Sequence, residues 1–287
     1  MAVRVVTDST ADLPEEIVKD LGITVVPLQV NFGSHTYFDG IDLRADDFYR
    51  KLSESETLPT TSQPTPAAFT EVYNRLAKET SDIVSIHISP KLSGTYNSAV
   101  LGRSVVERDC RIEIIDSLQA SMGLGLIVIQ AAKAAQSGAT LDEVIDLVRN
   151  VIPRIRFFGM VDTLEYLHKG GRIGKAQALM GTLLSIKPLI GCEDGEVHPK
   201  GKARTQKKAL TRLYEMVQES GEIEELTVSY STIPEQAAVF TKRLSPMFDT
   251  NRVYQARIGP VIGTYLGPGS MAVGVVVRKN GVANPAR

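Results

Sequence analysis

Residues 83–98, IVSIHISPKLSGTYNS, join a short apolar run to a polar turn and the start of a helical pattern. The run Ile83–Ile88 has the length and composition of a buried strand. The turn Ser89–Gly94 carries hydroxyl groups and a glycine, and a helix is expected after it. In open α/β sheets, this strand–turn–helix order places ligands beyond the carboxyl ends of the strands. We therefore expect an α/β fold with a binding site at the polar turn.

A second hydroxyl-rich loop, residues 60–66 with the sequence TTSQPTP, also precedes a helical pattern. Thr65 is a favourable N-cap, and Pro66 suits the first helical position. Because Thr65 already caps this helix, the hydroxyl groups of Thr61 and Ser62 are free to face a ligand. The two loops offer many hydrogen-bond donors but almost no charge and no strong base, which favours binding over catalysis.

Apolar runs alternate with helical patterns through the first half of the chain, as expected for a mostly parallel sheet with right-handed crossovers. A hairpin is predicted over Asn31–Asp42, beside that sheet. The predicted strands are Val3–Thr7, Ile23–Val30, Ile83–Ile88 and Ile112–Ile115, and the predicted helices are Leu13–Leu21, Pro66–Thr80, Tyr96–Glu107, Leu118–Gln136 and Leu141–Ile152.

The second half predicts another α/β unit with a mixed sheet, in which a tight turn at Glu193–Glu196 joins two strands. A chain of 287 residues suits two domains. We place an N-terminal α/β domain at 1–152 and a C-terminal α/β domain at 153–287, with the ligand between or within them. The predicted strands are Phe157–Val161, Leu189–Cys192, Leu226–Tyr230, Val253–Ile258 and Met271–Arg278, and the predicted helices are Lys175–Ile186, Thr205–Ser220 and Pro234–Leu244.

Composition excludes several classes of function. Lys and Arg total 32 against 33 Asp and Glu, without a basic stripe, which argues against nucleic acid as a partner. Cys110 and Cys192 lie far apart without metal-ligand neighbours, which suits a reducing cytoplasm. The N-terminus has no signal-peptide pattern. The most apolar stretch, Leu124–Ala135, is shorter than the roughly 20 residues of a membrane span. We expect a cytoplasmic protein without an integral membrane segment.

Polar residues at strand ends are candidates for a site. Asp8 and Ser9 follow the first predicted strand, whereas Asp12 is expected to cap the next helix. Ser93 and Gly94 open a helix whose N-terminus favours an anionic group, although Ser93 could serve only as an N-cap.

Two glycine-rich segments each carry one further candidate. Arg172, within GGRIGK at 170–175, is either a solvated surface residue or a planar fork for a phosphate or carboxylate. The segment lacks the glycine spacing of a phosphate-binding loop. Tyr265, within GPVIGTYLGPG at 259–269, either packs in the core or points its phenol into a cleft.

An enzyme is the alternative from another class. A hydrolase or phosphotransferase using Ser93 or Asp8 would need a base, such as His87, within hydrogen-bond reach. The four histidines do not group with a carboxylate or cysteine, and no GxSxG, HExxH or CxxC motif occurs. We therefore predict neither a triad nor a metal site, and no cofactor. The apolar helix Met122–Ala135 is either a wall of a lipid tunnel or plain core.

Several motifs occur in a fixed order along the chain: TDSTADLP at 7–14, TTSQPTP at 60–66, LSGTYNSA at 92–99, LHKGGRIG at 167–174 and GPVIGTYLGPG at 259–269. Together they resemble the DegV family, bacterial fatty-acid-binding proteins that include the FakB subunits of fatty acid kinase. The resemblance runs from about Val3 to Val277. It implies two α/β domains that bury a long-chain fatty acid such as palmitate. It also implies that the chain performs no catalysis alone, and that a fatty acid kinase, where one is present, phosphorylates the bound acid.

The resemblance also implies roles for individual residues. Thr61 and Ser93 match the pair that holds the carboxyl group, with Ser62 and Gly94 adjacent. Arg172 matches an arginine near the head group or the kinase-facing surface, and Tyr265 stands where the family often has histidine. A phenol donates a hydrogen bond but does not titrate near neutral pH. Burying each methylene of the tail gains about 0.8 kcal/mol, on the order of 10 kcal/mol gross for a long chain.

Overall fold

The computed structural model of the protein describes residues 2–107, 109–181 and 186–279. The strands are β1 Arg4–Asp8, β2 Thr24–Val26, β3 Gln29–Phe32, β4 His35–Phe38, β5 Thr60–Ser62, β6 Asp82–His87, β7 Arg111–Asp116, β8 Ile155–Met160, β9 Lys187–Glu193, β10 Glu196–Ala203, β11 Ile223–Tyr230, β12 Tyr254–Arg257 and β13 Met271–Val277. The helices are α1 Glu15–Asp20, α2 Ala45–Glu54, α3 Pro66–Leu76, α4 Thr95–Arg103, α5 Ser121–Gln136, α6 Leu141–Val151, α7 Glu165–Lys169, α8 Gln206–Glu219, α9 Pro234–Arg243 and α10 Pro260–Leu266.

The described residues form three sheets. The first has the order β2-β1-β6-β7, and all its strands run parallel. The largest has the order β10-β9-β8-β13-β11-β12 and is mixed, because β11 and β12 pair parallel while its other pairs are antiparallel. The smallest, β4-β3-β5, is antiparallel. The predicted α/β class, with a parallel sheet in the first half and a mixed sheet in the second, is confirmed.

The predicted strand Ile23–Val30 is wrong as a single element. Pro27 separates β2, which joins the parallel sheet, from β3, which joins the small antiparallel sheet. Proline has no N–H to donate to a ladder, so it interrupts a central strand. The predicted hairpin over 31–42 forms between β3 and β4, and β5 completes its sheet by pairing Thr61 with Val30.

Other differences concern helices. The sequence pattern predicted no helix at α2, α7 or α10, and α10 begins at Pro260 in the glycine-rich segment. Where a helix was predicted over 175–186, residues 174–179 form a 3-10 helix. Residues 182–185 of that prediction lie outside the described residues, as does the end of the predicted second domain, 280–287.

The turn predicted at 193–196 is confirmed. Asp194 and Gly195 have positive φ angles of 49° and 80° and join β9 to β10. A two-residue hairpin loop with positive φ at both positions matches the right-handed twist of the flanking strands. The hairpin therefore places β10 beside β9, at one edge of the mixed sheet.

Helix α5 lies between the parallel and mixed sheets. It contacts β1 and β6 on one side and β8, β11 and β13 on the other. Leu124, Leu126, Ile127 and Val128 are all fully buried in the main core. A helix enclosed on all sides must be apolar all round. Core packing, rather than a tunnel wall, therefore explains the apolar stretch from Met122 onward.

The parallel sheet lies entirely before residue 152, and the mixed sheet lies entirely after it. Division into domains 1–152 and 153–287 stays a prediction, because α5 packs against both sheets. In the described part of the chain, no helix is both long and apolar enough to cross a bilayer.

The shared core predicts a large effect of Leu126→Ala. Removing most of a fully buried leucine leaves a cavity between the two sheets, and we expect a loss of about 2–5 kcal/mol in the free energy of unfolding. Urea denaturation followed by circular dichroism measures it. Val100→Ala on α4, where the side chain is exposed, is the control and should change stability by about 0.5 kcal/mol or less. Equal effects of the two substitutions would contradict the assignment of α5 to the core.

Candidate functional site

A largely apolar cavity lies between segments from both halves of the chain. The space inside it, together with open solvent at its mouth, comes to about 840 Å³. Its wall includes Ile88, Leu92, Phe157, Ile190 and Ile262. Among the described residues that line it, only Arg172 carries a full charge. The cavity therefore suits a long apolar ligand with a polar end.

Four of the predicted site residues meet at this cavity. Thr61 lies on β5, Ser93 lies in the loop before α4, Arg172 follows α7, and Tyr265 lies on α10. The hydroxyl oxygens of Thr61 and Tyr265 are 2.6 Å apart. The guanidinium carbon of Arg172 lies 5.3 Å from the centre of the Tyr265 ring. The fold thus joins residues from four separate segments into one polar end.

Gln63 connects the two hydroxyl loops. Its Nε2 donates a hydrogen bond of 3.0 Å to Oγ of Ser98 on α4. Gly94 leaves room for the Gln63 side chain, because a Cβ at position 94 would overlap the Gln63 amide. Ser93 stands beside this contact, and its Oγ lies 2.9 Å from Oγ1 of Thr95. The loop that carries Thr61 is therefore docked on the start of α4.

A glycine also shapes the loop that carries Arg172. The ring of Tyr265 lies directly against Gly170, where a Cβ would be only 2.5 Å from a ring carbon. The Arg172 guanidinium donates from Nε to the carbonyl oxygen of Leu92 at 3.1 Å and from Nη1 to that of Gly170 at 2.9 Å. Arg172 thus bridges its own loop and the loop of Ser93.

Ser62 and Gly94 are neighbours of the cavity and do not line it. Oγ of Ser62 is exposed and accepts a hydrogen bond of 3.1 Å from Nδ2 of Asn31. Gly94 faces Gln63. Helix α5 reaches the cavity only at its start, through Ala120 and Ser121.

Asp8 belongs to a fully buried network. Its Oδ2 lies 2.9 Å from Nδ1 of His87, whose Nε2 lies 2.7 Å from Oγ of Ser85, and Ser85 bonds in turn to the hydroxyl of Tyr73 at 2.8 Å. The order Asp–His–Ser resembles a hydrolytic triad. Ser85 is nevertheless fully buried and does not line the cavity. This network stabilises the end of β6.

The base that the enzymatic alternative requires is not found at Ser93. Both ring nitrogens of His87 are engaged by Asp8 and Ser85, and the side-chain partner of Ser93 is Thr95. Within 2–107, 109–181 and 186–279, no group of three or more His, Cys, Asp or Glu side chains could hold a metal ion.

Asp12 and Asp39 form a buried acidic pair that the sequence pattern did not reveal. The prediction that Asp12 caps α1 is wrong, because Pro14 occupies the cap position. Asp12 has a positive φ of 52° and accepts hydrogen bonds from the Gly259 N–H at 2.9 Å and the Ser121 hydroxyl at 2.5 Å. Gly259 lies 247 residues from Asp12, so no local sequence pattern could indicate this hydrogen bond.

Burial raises the pKa of Asp12 well above its ordinary value, and the nearby charge of Asp39 raises it further. Burial likewise raises the pKa of Asp39 from an ordinary 3.8 to about 7, with a further contribution from Asp8. Oδ2 of Asp39 is buried and has no hydrogen-bond partner. Both carboxyl groups therefore favour the protonated form more than exposed acids do.

Comparison with known proteins finds relatives that match this chain over almost its whole length. A family model described as "Uncharacterised protein, DegV family" matches residues 2–278. A DegV domain-containing protein of Halalkalibacterium halodurans is 40% identical over 283 residues, which cover 96% of this chain and 99% of the relative.

Two solved structures are similar over almost their whole length. One, described as showing fatty acid binding of a DegV family protein from Thermus thermophilus, is 34% identical with a TM-score of 0.89 and covers 97% of this chain and 100% of its own. The other, DegV of Bacillus subtilis, described as a fatty acid binding protein, is 33% identical with a TM-score of 0.87 and the same coverage.

The raised pKa of Asp39 predicts a pH-dependent stability difference between the wild type and Asp39→Asn. Between pH 3.8 and about 7, the folded protein keeps a proton that the unfolded chain releases, so this contribution to stability is lost as the pH rises. The amide of the variant has no such proton to release. We expect Asp39→Asn to gain stability relative to the wild type across this window, by up to a few kcal/mol. Urea denaturation at a series of pH values measures the free energy of unfolding of both proteins. Parallel curves of this free energy against pH would contradict the prediction.

Proposed function

We propose that this chain, which belongs to the DegV family, binds a long-chain fatty acid. The tail lies in the apolar cavity, and the carboxylate lies at Thr61 and Ser93. The observation that carries the proposal is an apolar cavity with a hydroxyl-lined end, built by two loops that Gln63 joins. The fatty acids bound by the similar solved proteins support the same ligand class.

The hydroxyl groups can bind a carboxylate without a rearrangement of the loops. In the 2.6 Å pair of Thr61 and Tyr265, one hydroxyl donates to the other, which leaves one O–H proton for the ligand. The pair of Ser93 and Thr95 offers a second O–H in the same way. Ser93 and Thr95 stand at the start of α4, where the helix dipole favours negative charge.

Arg172 adds positive charge at the same end. Its guanidinium is exposed, so it stays hydrated and costs little desolvation. Two carbonyl oxygens orient it toward the Tyr265 ring. We propose that it attracts the carboxylate, while burial of the tail supplies most of the affinity. Ser62 and Gly94 then contribute by shaping the two loops.

We further propose that the bound acid is presented to a fatty acid kinase in the cytoplasm. Arg172 is exposed and Tyr265 is half-buried, so the carboxylate can be reached from outside while the tail stays enclosed. A carboxylate oxygen would attack the γ-phosphorus of ATP on the kinase, and ADP would leave. The Tyr265 hydroxyl can donate a hydrogen bond to the carboxylate, whereas the histidine frequent in the family would also offer an imidazole that takes up and releases a proton.

Removing either carboxylate donor should weaken binding. Thr61→Val and Ser93→Ala each delete a hydrogen bond to a charged group, so we expect affinity for palmitate to fall by about tenfold to a hundredfold. Delipidated protein is titrated with palmitate and followed by calorimetry. Ser62→Ala is the matched control, since its exposed hydroxyl bonds to Asn31 and should cost far less. Unchanged affinity in both Thr61→Val and Ser93→Ala would contradict the proposed position of the carboxylate.

Presentation to a kinase has its own test. Palmitate-loaded protein is incubated with ATP and a purified fatty acid kinase, and acyl phosphate is trapped with hydroxylamine. We expect Tyr265→His to raise the rate of transfer, because imidazole exchanges a proton near neutral pH, and Tyr265→Phe to lower it. If palmitate binds but no variant yields acyl phosphate, presentation to a kinase is contradicted and fatty acid binding is not.

A further inference from the structure

Strand β8 forms part of the cavity wall. Phe157 and Gly159 on one face, Met160 at the end of the strand and Val161 directly after it line the cavity, whereas Phe158 on the other face belongs to the core cluster covered by α8 and α9. This separation follows from the two-residue period of a strand. The residues on the cavity face can therefore be changed separately from the core on the other face.

The cavity face of β8 runs from the polar end toward the interior. Val161 belongs to the apolar cluster that includes Leu167 and packs against Tyr265. Phe157 packs instead against the main core around α5. The two residues are four positions apart, about 13 Å at a rise of about 3.3 Å per residue. The cavity-lining residues from Val161 to Phe157 therefore lead from the Tyr265 end of the cavity toward α5.

The ring of Phe157 lies close to two glycines. A Cβ at Gly123 on α5, or at Gly274 on β13, would lie 3.3 Å from carbons of this ring. Both glycines therefore leave room for the ring, which a side chain at either position would crowd. Phe157 is nevertheless only half-buried, because its other side faces the cavity.

Gly159 lies between Phe157 and the polar end and leaves the cavity open there. A Cβ at this position would lie 3.5 Å from the Met271 carbonyl oxygen, 3.6 Å from Cβ of Ala272 and 3.7 Å from Cγ1 of Ile190. These are ordinary van der Waals distances, so the backbone tolerates a side chain. Since Ile190 and Ala272 also line the cavity, a branched side chain at 159 would narrow it.

We infer that Phe157 is the end wall that limits the length of the acyl chain, and that Gly159 keeps the passage to this wall open. The inference rests on the proposed fatty acid binding and assigns the residues that select among fatty acids. Shortening the side chain at 157 would extend the cavity toward Gly123 and Gly274, where the ring now lies. A valine at 159 obstructs the part of the tail that lies beyond it.

The test measures affinities of the wild type, Phe157→Leu and Gly159→Val for lauric, myristic, palmitic, stearic and arachidic acids after delipidation. We expect Phe157→Leu to shift the preference toward longer acids, and Gly159→Val toward shorter ones. Each methylene that loses its apolar environment should cost about fourfold in affinity. Phe158→Leu is the matched control on the same strand, and it should lower thermal stability without changing the order of the acids.

The outcomes separate the inference from the function on which it rests. If the wild type binds these acids and both variants keep its order of affinities, the roles of Phe157 and Gly159 are overturned. A shift in one variant alone supports that residue and overturns the role of the other. If the wild type binds none of the acids, the proposed function itself fails. The two variants are independent, so misfolding of one leaves the other as a test.

Discussion

The contact between the Gln63 side chain and the backbone of Gly94 determines how the polar end of the cavity is assembled. Any side chain at position 94 would overlap Gln63, and the Gln63 amide also donates to Ser98 on α4. Thr61 lies two residues before Gln63 and is held from the other side by the pairing of β5 with β3. The relative position of Thr61 and Ser93 therefore follows from one close approach between two loops.

This assembly explains how a site with so little charge can serve an anionic ligand. A buried ion pair would require the desolvation of both partners, and that cost offsets much of the attraction between them. Hydroxyl groups that already hydrogen-bond to each other, as Thr61 does to Tyr265, would orient the proposed carboxylate without this cost. The charge of Arg172 stays at the exposed side, and in the proposed complex the apolar wall of the cavity would contact the tail.

Local patterns in the sequence predicted the elements whose causes are local. The apolar run that became β6 and the Asp194–Gly195 turn needed only strand periodicity and positive-φ chemistry. The short β5 was not predicted, because it depends on pairing with β3 rather than on its own composition. Helix α10 arises from a segment rich in glycine and proline, whose turn signals conceal a helix stabilised by tertiary contacts.

The distinction between local and long-range causes also applies to the candidate site. Motif order made Thr61, Ser93, Arg172 and Tyr265 candidates, but it could not predict the Thr61–Tyr265 hydrogen bond, which joins residues 204 positions apart. Asp12 shows most clearly that local sequence patterns do not reveal contacts between distant residues. Its carboxyl group accepts from Ser121 at the start of α5 and from Gly259, directly before the helix that carries Tyr265. Ser121 lines the cavity, so one buried acid links a wall of the cavity to the segment that positions its polar end. Burial and the repulsion of Asp39 oppose charge on that acid, whereas its two hydrogen bonds favour it. The geometry of the proposed lipid site therefore depends on a carboxyl group, that of Asp12, which does not line the cavity.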